Sequence, residues 1–296
     1  MQLKSSILNK KKIIVTGAAG FVGRNIVQKL LKENYYIISV DLNDPKIKSK
    51  KHKYYKSSIK SFFLKKKIKN LYAIIHLASD PRNNYYYLKP ELALENISNT
   101  FSILNYIKNL KKKPILIFSS TKQIELDTLA KDKDMGPYSI SKKSSEEFIN
   151  FFSQNYGFRS YIIRFTEVFS MHDNPKNKAL IKFISKNKTN ENISIDNVNH
   201  NFEYISIEVI CDGIIKILKN KIKHKYINFY GNKINILSLL MKIKRILNSD
   251  SKIIIKKLIK RKSDLKKSKT LNYKVNKNDL FYSKLRLIIG NEIKNK

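Results

Sequence analysis

Apolar residues fall into two alternating rhythms along the first half of the chain. Lys12-Ile13-Ile14-Val15-Thr16 is a short apolar run closed by Gly17, which predicts a buried strand. Phe21 to Lys32 then places Phe21, Val22, Ile26, Val27, Leu30 and Leu31 at helical spacing. The next strand is predicted at Tyr36-Ile37-Ile38-Ser39-Val40 and ends on Asp41. Ala73 to Leu77 is another strand, and Leu92 to Lys108 a helix with Ile97, Phe101, Leu104 and Ile107 on one face. Ile115 to Phe118 reads as a strand, Ser139 to Asn155 as a helix and Tyr161 to Ile163 as a strand. Repeated strand–helix–strand units with uniformly apolar strands predict a parallel sheet covered on both faces. Right-handed crossovers make it an α/β doubly wound fold, with its ligand site at the C-terminal ends of the strands.

Past Arg164 the alternation loosens. Asp173 to Asn201 is rich in Asn and Lys, with a helix expected at Ala179–Ser185 and a strand at Ile193–Ile195. Further helices are expected at Ile207–Leu218 and Asn235–Leu247, while Lys219–Lys225 and Lys256–Lys269 read as solvated charge runs. No repeat or Pro/Gly-rich linker separates the halves. The expected division is residues 1–165 as the cofactor domain and 166–296 as a smaller, dependent lobe.

Composition changes the picture in one respect. Sixty Lys+Arg against 23 Asp+Glu give a formal net charge of +37 over 296 residues. Such a charge invites a nucleic-acid partner. Yet only seven basic residues are Arg, the better bidentate reader of phosphate and guanine. Lys, Asn and Ile are all abundant and all have A/T-rich codons, so we attribute much of the charge to coding bias. A balanced or G/C-rich source genome would contradict that. The 42% hydrophobic content excludes a disordered polycation. Cys211 stands alone, which rules out an internal disulfide and suits a reducing, cytoplasmic setting. No apolar run reaches membrane-span length, and Met1 to Lys12 lacks the apolar core of a signal peptide. None of the five His pairs with a Cys or another His at ligand spacing, so no metal site is expected.

The chemistry gathers at strand ends. Gly17-Ala18-Ala19-Gly20-Phe21-Val22-Gly23 joins the first strand to the first helix and uses three of the chain's eight glycines. Such a turn lets backbone approach a pyrophosphate at a helix N-terminus. Asp41, 24 residues after Gly17, can take the adenosine ribose hydroxyls and would repel a 2′-phosphate, which favours NAD over NADP. Tyr138 and Lys142 are one helical turn apart, so the ammonium can lower the phenol's pKa and make it a general base. Tyr85/Lys89 and Tyr273/Lys277 share the spacing. Position selects Tyr138, which follows the strand ending in Ser119-Ser120-Thr121, with Thr121 set to hydrogen-bond a substrate hydroxyl. His76 ends a buried strand and reads as structural.

On these residues the chain resembles the extended short-chain dehydrogenase/reductases of the NAD-dependent epimerase/dehydratase type. The likeness also rests on His76-Leu77-Ala78, on Asn96 with Asn99-Thr100, on Phe118 to Thr121 and on Arg164-Phe165. It covers residues 11–170 well and the remainder loosely, where Arg261-Lys262-Ser263-Asp264 is similar to a late substrate motif. The resemblance implies a Rossmann-type sheet with a smaller C-terminal α/β substrate lobe, and a homodimer through the helices at Leu92–Lys108 and Ser139–Asn155. It places Gly17, Ala19, Gly20, Phe21, Val22, Gly23, Asp41, Ser58, Ile59, Leu77, Ala78, Asn96, Ser119, Tyr138, Lys142 and Phe165 on NAD. Thr121, Glu167 and Arg261 fall on the substrate, and Thr121, Tyr138 and Lys142 carry the chemistry.

The implied reaction is nucleotide-sugar epimerisation, at C4, in surface-polysaccharide precursor synthesis. A keto-sugar reductase or dehydrogenase would use the same residues. Lys122-Gln123 replaces the Asp-Glu of the family's dehydratases, which argues against water elimination. Ser58 stands for the Asp expected on adenine, and Glu167-Val168-Phe169-Ser170-Met171 for Asn-Val-Tyr-Gly-Pro. The family's Arg is absent from His200-Asn201-Phe202-Glu203, and the chain ends at Lys296, short of its usual last helix. A non-enzymatic or RNA-binding module on the same fold is the rival class. A complete Thr–Tyr–Lys set would be needless there, and steep salt dependence of RNA binding is its test.

Overall fold

The computed structural model describes residues 11–296 except 81, 83, 84, 130–134, 173, 177, 257–271, 274–279 and 295–296. The chain divides into two compact units. The first takes residues up to Arg164 together with Cys211–Asn228. In chain order its elements are β1 (Lys12–Thr16), α1 (Phe21–Lys32), β2 (Tyr36–Asp41), β3 (His52–Lys56), α2 (Ile59–Lys65) and β4 (Leu71–His76). Then come α3 (Tyr85–Leu88), α4 (Glu91–Lys108), β5 (Ile115–Thr121), α5 (Gln123–Leu129), α6 (Pro137–Asn155) and β6 (Ser160–Phe165). The second unit begins with β7 (Glu167–Phe169), α7 (Ala179–Lys188), β8 (Ile193–Ile195) and β9 (Asn201–Ser206). Helix α8 (Ile207–Leu218) leads the chain back to the first unit, where β10 (Tyr226–Phe229) lies. The second unit resumes with β11 (Asn232–Asn235), α9 (Ile236–Leu247) and β12 (Ile253–Ile255), and closes with α10 (Leu280–Lys294).

The parallel sheet of the first unit runs β10-β6-β5-β4-β1-β2-β3. Ile13, Ile14, Val15, Ile74, Ile75 and Ile117 are wholly buried, as the unbroken apolar runs require. Ile103, Leu104 and Ile107 of α4 pack with Ile149 and Phe152 of α6 over Ile14, Ile74 and Leu116. Strand order reverses at β1, with β2 on one side and β4 on the other. That topological switch point is where such sheets take their ligands.

Several element ends differ from expectation for local reasons. Helix α6 starts at Pro137 rather than Ser139, because Pro occupies its first turn behind an extended Gly136. Helix α7 runs on to Lys188. Strand β3 escapes the apolar pattern because it is an edge strand of half-buried His and Tyr alternating with exposed Lys. The return of Cys211–Asn228 to the first unit falls inside the stretch assigned by sequence to the second lobe. Strand β10 explains it: four residues behind a lysine run carry too little pattern to announce a core strand.

The second unit has its own core. Leu180, Ile181 and Ile184 of α7, Leu239 and Ile243 of α9, and Leu285, Ile288 and Ile289 of α10 pack together with Phe169, Tyr204 and Phe281. Its strands β11, β9 and β7 form one small sheet, and β12 pairs with β8 in another.

Candidate functional site

The turn after β1 is forced by glycine at two positions. Gly17 has φ +70°, and a Cβ there would lie 2.7 Å from the Ala78 backbone nitrogen. A Cβ on Gly23 would stand 2.0 Å from the Gly17 carbonyl oxygen. The first demand presses the turn against Leu77-Ala78 just past β4; the second presses the helix onto the turn. Gly20 is less constrained, since its Cβ would meet Gly17 O at 3.2 Å. Gly20 precedes α1 without any side-chain cap, and the first helical bond is Arg24 N to Gly20 O at 2.9 Å. The opening N–H groups of α1, at Phe21 and Val22, thus point out of a turn stripped of side chains. This is the cradle an anionic pyrophosphate requires.

Asp41 fixes the same turn from β2. Its Oδ2 accepts the Ala19 N–H at 2.9 Å and its Oδ1 the Asn43 N–H at 3.0 Å. Each oxygen keeps a lone pair for a ribose hydroxyl. Ser58 caps α2, its Oγ accepting the Ser61 N–H at 3.2 Å, and Ile59 is buried behind it. A serine therefore does the capping work that an Asp would do there.

The other end of the site is made of side chains. Thr121 closes β5, and its Oγ1 accepts the Gln123 N–H at 3.2 Å. That leaves the hydroxyl proton available to a substrate oxygen. Tyr138 and Lys142 lie on the first turns of α6. Lys142 is 3% exposed and donates from Nζ to the Ser119 carbonyl at 2.9 Å, tying α6 to β5 two residues before Thr121. Its Nζ lies 4.9 Å from the Phe118 ring centre and 5.7 Å from that of Tyr138. Burial pushes the Lys142 ammonium down to about 7, against the pull of the Glu146 carboxylate.

Asn96, expected on the cofactor, is buried and also braces the segment that carries the tyrosine. Its Nδ2 donates to Tyr86 Oη at 2.9 Å and to Ser141 Oγ at 3.2 Å, and Ser141 Oγ donates to the Tyr138 carbonyl at 2.8 Å. The Tyr86 ring, fully buried, sits 5.0 Å from the Tyr138 ring. His76 is buried with Nδ1 2.8 Å from Thr16 Oγ1 and Nε2 3.3 Å from Thr100 Oγ1. Burial and the Lys142 charge push it down to about 3, so it is a neutral bridge among β1, β4 and α4.

Phe165 and Glu167 belong to the second unit, where Glu167 forms an ion pair with Lys178 at 3.0 Å. Arg261 lies outside the described residues. The sequence reading passed over Tyr86 and Glu146. Only Glu146 left a signal, four residues beyond Lys142 on the same helix face. Among the described residues no group of three or more His, Cys, Asp and Glu could hold a metal. No helix among them is long and apolar enough to cross a membrane.

A glycine turn and an acidic strand end at the switch point, with a Thr–Tyr–Lys set on the same sheet, are features expected of a dinucleotide-binding enzyme of the short-chain dehydrogenase/reductase class. The profile of the NAD dependent epimerase/dehydratase family matches residues 13–235, and the chain belongs to that family. It is 25% identical to the UDP-glucuronate 4-epimerase of Thermodesulfobacterium geofontis, over 84% of this chain and 94% of that one. Among solved structures it resembles a UDP-N-acetylglucosamine 4-epimerase from Methanobrevibacter ruminantium in complex with UDP-N-acetylmuramic acid. The TM-score is 0.78 at 22% identity, covering 97% of this chain and 99% of that one. The UDP-glucuronic acid 4-epimerase of Bacillus cereus, in complex with UDP-glucuronic acid and NAD, gives 0.75 at 19% identity, covering 96% and 100%.

Proposed function

We propose that this protein is an NAD-dependent nucleotide-sugar 4-epimerase in which Tyr138 is the acid–base group. The observation that carries the reading is Lys142, a buried cation fixed to the end of β5 beside the Tyr138 ring. The glycine turn and Asp41 fit NAD: two positions have no room for a Cβ, and the carboxylate that orients Ala19 faces away a 2′-phosphate. Bound NAD supplies a hydride acceptor that can return what it takes. Tyr138 removes the proton of the substrate C4 hydroxyl as that carbon is oxidised, and gives it back on reduction. Lys142 holds the phenolate by charge, and Thr121 donates a hydrogen bond to the reacting oxygen. Turning the sugar between the two half-reactions inverts C4 without net redox change.

The named relatives support a nucleoside diphosphate sugar as substrate. The family's motifs favour Glu167 and Arg261 in its recognition. A homodimer through α4 and α6 fits their exposed apolar residues, with Leu94 70% and Phe151 56% accessible and Phe101 stacked edge-on to Phe148. The buried free thiol of Cys211 favours the cytoplasm.

Mass spectrometry of ligands that copurify with the protein tests the reading. NAD accompanied by a sugar nucleotide is the expected result. A preparation that binds neither, even when both are supplied, contradicts it.

A further inference from the structure

Behind the Tyr138–Lys142 pair lies a buried chain of charges that the proposed reaction does not use. Glu146, one helical turn past Lys142, is 2% exposed. A carboxylate so placed must be paired or neutralised. It is paired from two strands. Ser120 Oγ donates to Oε1, and Arg164 grips both oxygens, Nε to Oε1 at 2.9 Å and Nη2 to Oε2. Arg164 Nη1 continues to Glu125 Oε1 at 3.0 Å, which also accepts Asn228 Nδ2 at 2.8 Å. The guanidinium thus pairs with Glu146 through both carboxylate oxygens. The anion therefore stays close to Lys142 in a site with little water to screen it.

We propose that Glu146, held as a carboxylate by Arg164 and Ser120, is a positioning residue that keeps Lys142 charged and so sets the upper pH limit of the reaction. This rests on the reading of Tyr138 and Lys142 given above. Lys142 is the group to be tuned: among the described residues its ammonium donates to the Ser119 carbonyl, and Glu146 is the charge that favours it. The groups around it sort by element. Tyr138 and Glu146 share its helix, His76 faces it from β4, Arg164 belongs to β6 and Glu125 to α5. Helix α4 brings the neutral Asn96 and Thr100 to the neighbouring Ser141 and Ser145. His76 is neutral, so Glu146 is the anion that offsets the cost of burying the ammonium.

A purely structural role, fastening β6 to α6, makes a different forecast. It predicts lost stability with an unmoved pH profile. The test is the pH dependence of kcat/KM for epimerisation in Glu146→Gln, a near-isostere whose one amide oxygen can still accept from Ser120 and Arg164 Nε but whose NH2 cannot accept from Arg164 Nη2. The alkaline limb is expected to move down by about one pH unit, a tenfold loss on that side. Glu146→Asp keeps the charge but withdraws it by one bond, and is expected to shift the limb the same way by a smaller step. It also serves should the Gln variant fail to fold. An unmoved or raised limb in the folded variants overturns the proposal, whatever happens to their stability.

A second readout separates this proposal from the reading beneath it. The phenolate absorbance titration of the protein minus that of its Tyr138→Phe variant isolates Tyr138. With Glu146 replaced by Gln, that difference titration is expected to move up, as Lys142 loses its charge at lower pH. If it moves while no sugar nucleotide is epimerised, the positioning role stands and the proposed function fails. If epimerisation proceeds but neither titration nor limb moves, the positioning role is wrong.

Discussion

The two ends of the site are built by opposite means. At the nucleotide end the turn from Gly17 to Gly23 works by what is missing: no Cβ at two positions, no side-chain cap on α1, and backbone N–H groups left to face an anion. At the chemical end everything depends on side chains, with Lys142, Glu146, His76 and Asn96 all buried and held by named partners. The first end is shaped by backbone, with the Asp41 carboxylate holding the turn. The second depends on protonation states: burial keeps His76 neutral, while at Lys142 burial opposes the charge that Glu146 favours. Loss of function at the two ends should therefore look different: at one as lost cofactor affinity and stability, at the other as lost turnover and altered pH response.

The largest expected effect is at Tyr138. Tyr138→Phe should reduce kcat by about 10²–10⁴, the usual contribution of a positioned acid–base group. Calorimetric NAD affinity and the melting temperature should barely change, because the ring stays packed on Tyr86. Parallel loss of NAD binding would erase the contrast between the ends.

Gly23→Ala comes next. Its Cβ would fall 2.0 Å from the Gly17 carbonyl, and backbone cannot rotate away as a side chain can. A cost of about 1–3 kcal/mol is expected, seen as a lower melting temperature and weaker NAD binding together. Chemical steps should be unimpaired once cofactor is saturating.

Acid sensitivity follows, and it belongs to the side-chain end. His76 titrates at about 3 in the folded protein, against its ordinary 6.5. Between those values the unfolded chain binds a proton that the folded one refuses, so stability falls as pH drops through this window. The loss approaches about 1.4 kcal/mol per pH unit from this one group. His76→Asn should be less stable at neutral pH but lose less on acidification, measured by denaturant unfolding at pH values across the window. Equal slopes for the two proteins would remove His76 from the account.

The smallest effect sharpens the comparison inside the turn. Gly20→Ala meets only the Gly17 oxygen at 3.2 Å, so a few tenths of an ångström of adjustment suffices. Its melting temperature should stay near that of the parent, while Gly23→Ala falls. If both fall alike, packing at the turn is not what selects the glycines.

Much of this was legible in the sequence, and the reasons are local. Glycine spacing, uninterrupted apolar strands and the Tyr138–Lys142 interval each leave a mark within a few residues. The Rossmann-type sheet, the family and the cofactor class follow from them. What stayed hidden depends on distant pairing. Arg164 meets Glu146 and Glu125 only because β6, α6 and α5 converge, and nothing near Arg164 names its partners. The bonds from the Asn96 amide to Tyr86 and Ser141 were equally hidden, since they join α4 to α3 and α6. Strand β10 was missed because a short strand behind Lys219–Lys225 lacks any pattern of its own. Of the 60 Lys and Arg residues behind the +37 charge, Lys142 and Arg164 are the ones built into the chemical end of the site as described.

Proton NMR of UDP-sugars incubated with the purified protein and NAD addresses the central claim most directly. UDP-glucose and UDP-glucuronic acid are suitable first probes, with NADH absorbance followed in the same samples. Approach of a 4-epimer pair to equilibrium from either side, with no accumulation of NADH, is the expected result. Conversion matched mole for mole by NADH would make the protein a dehydrogenase and contradict the epimerase reading.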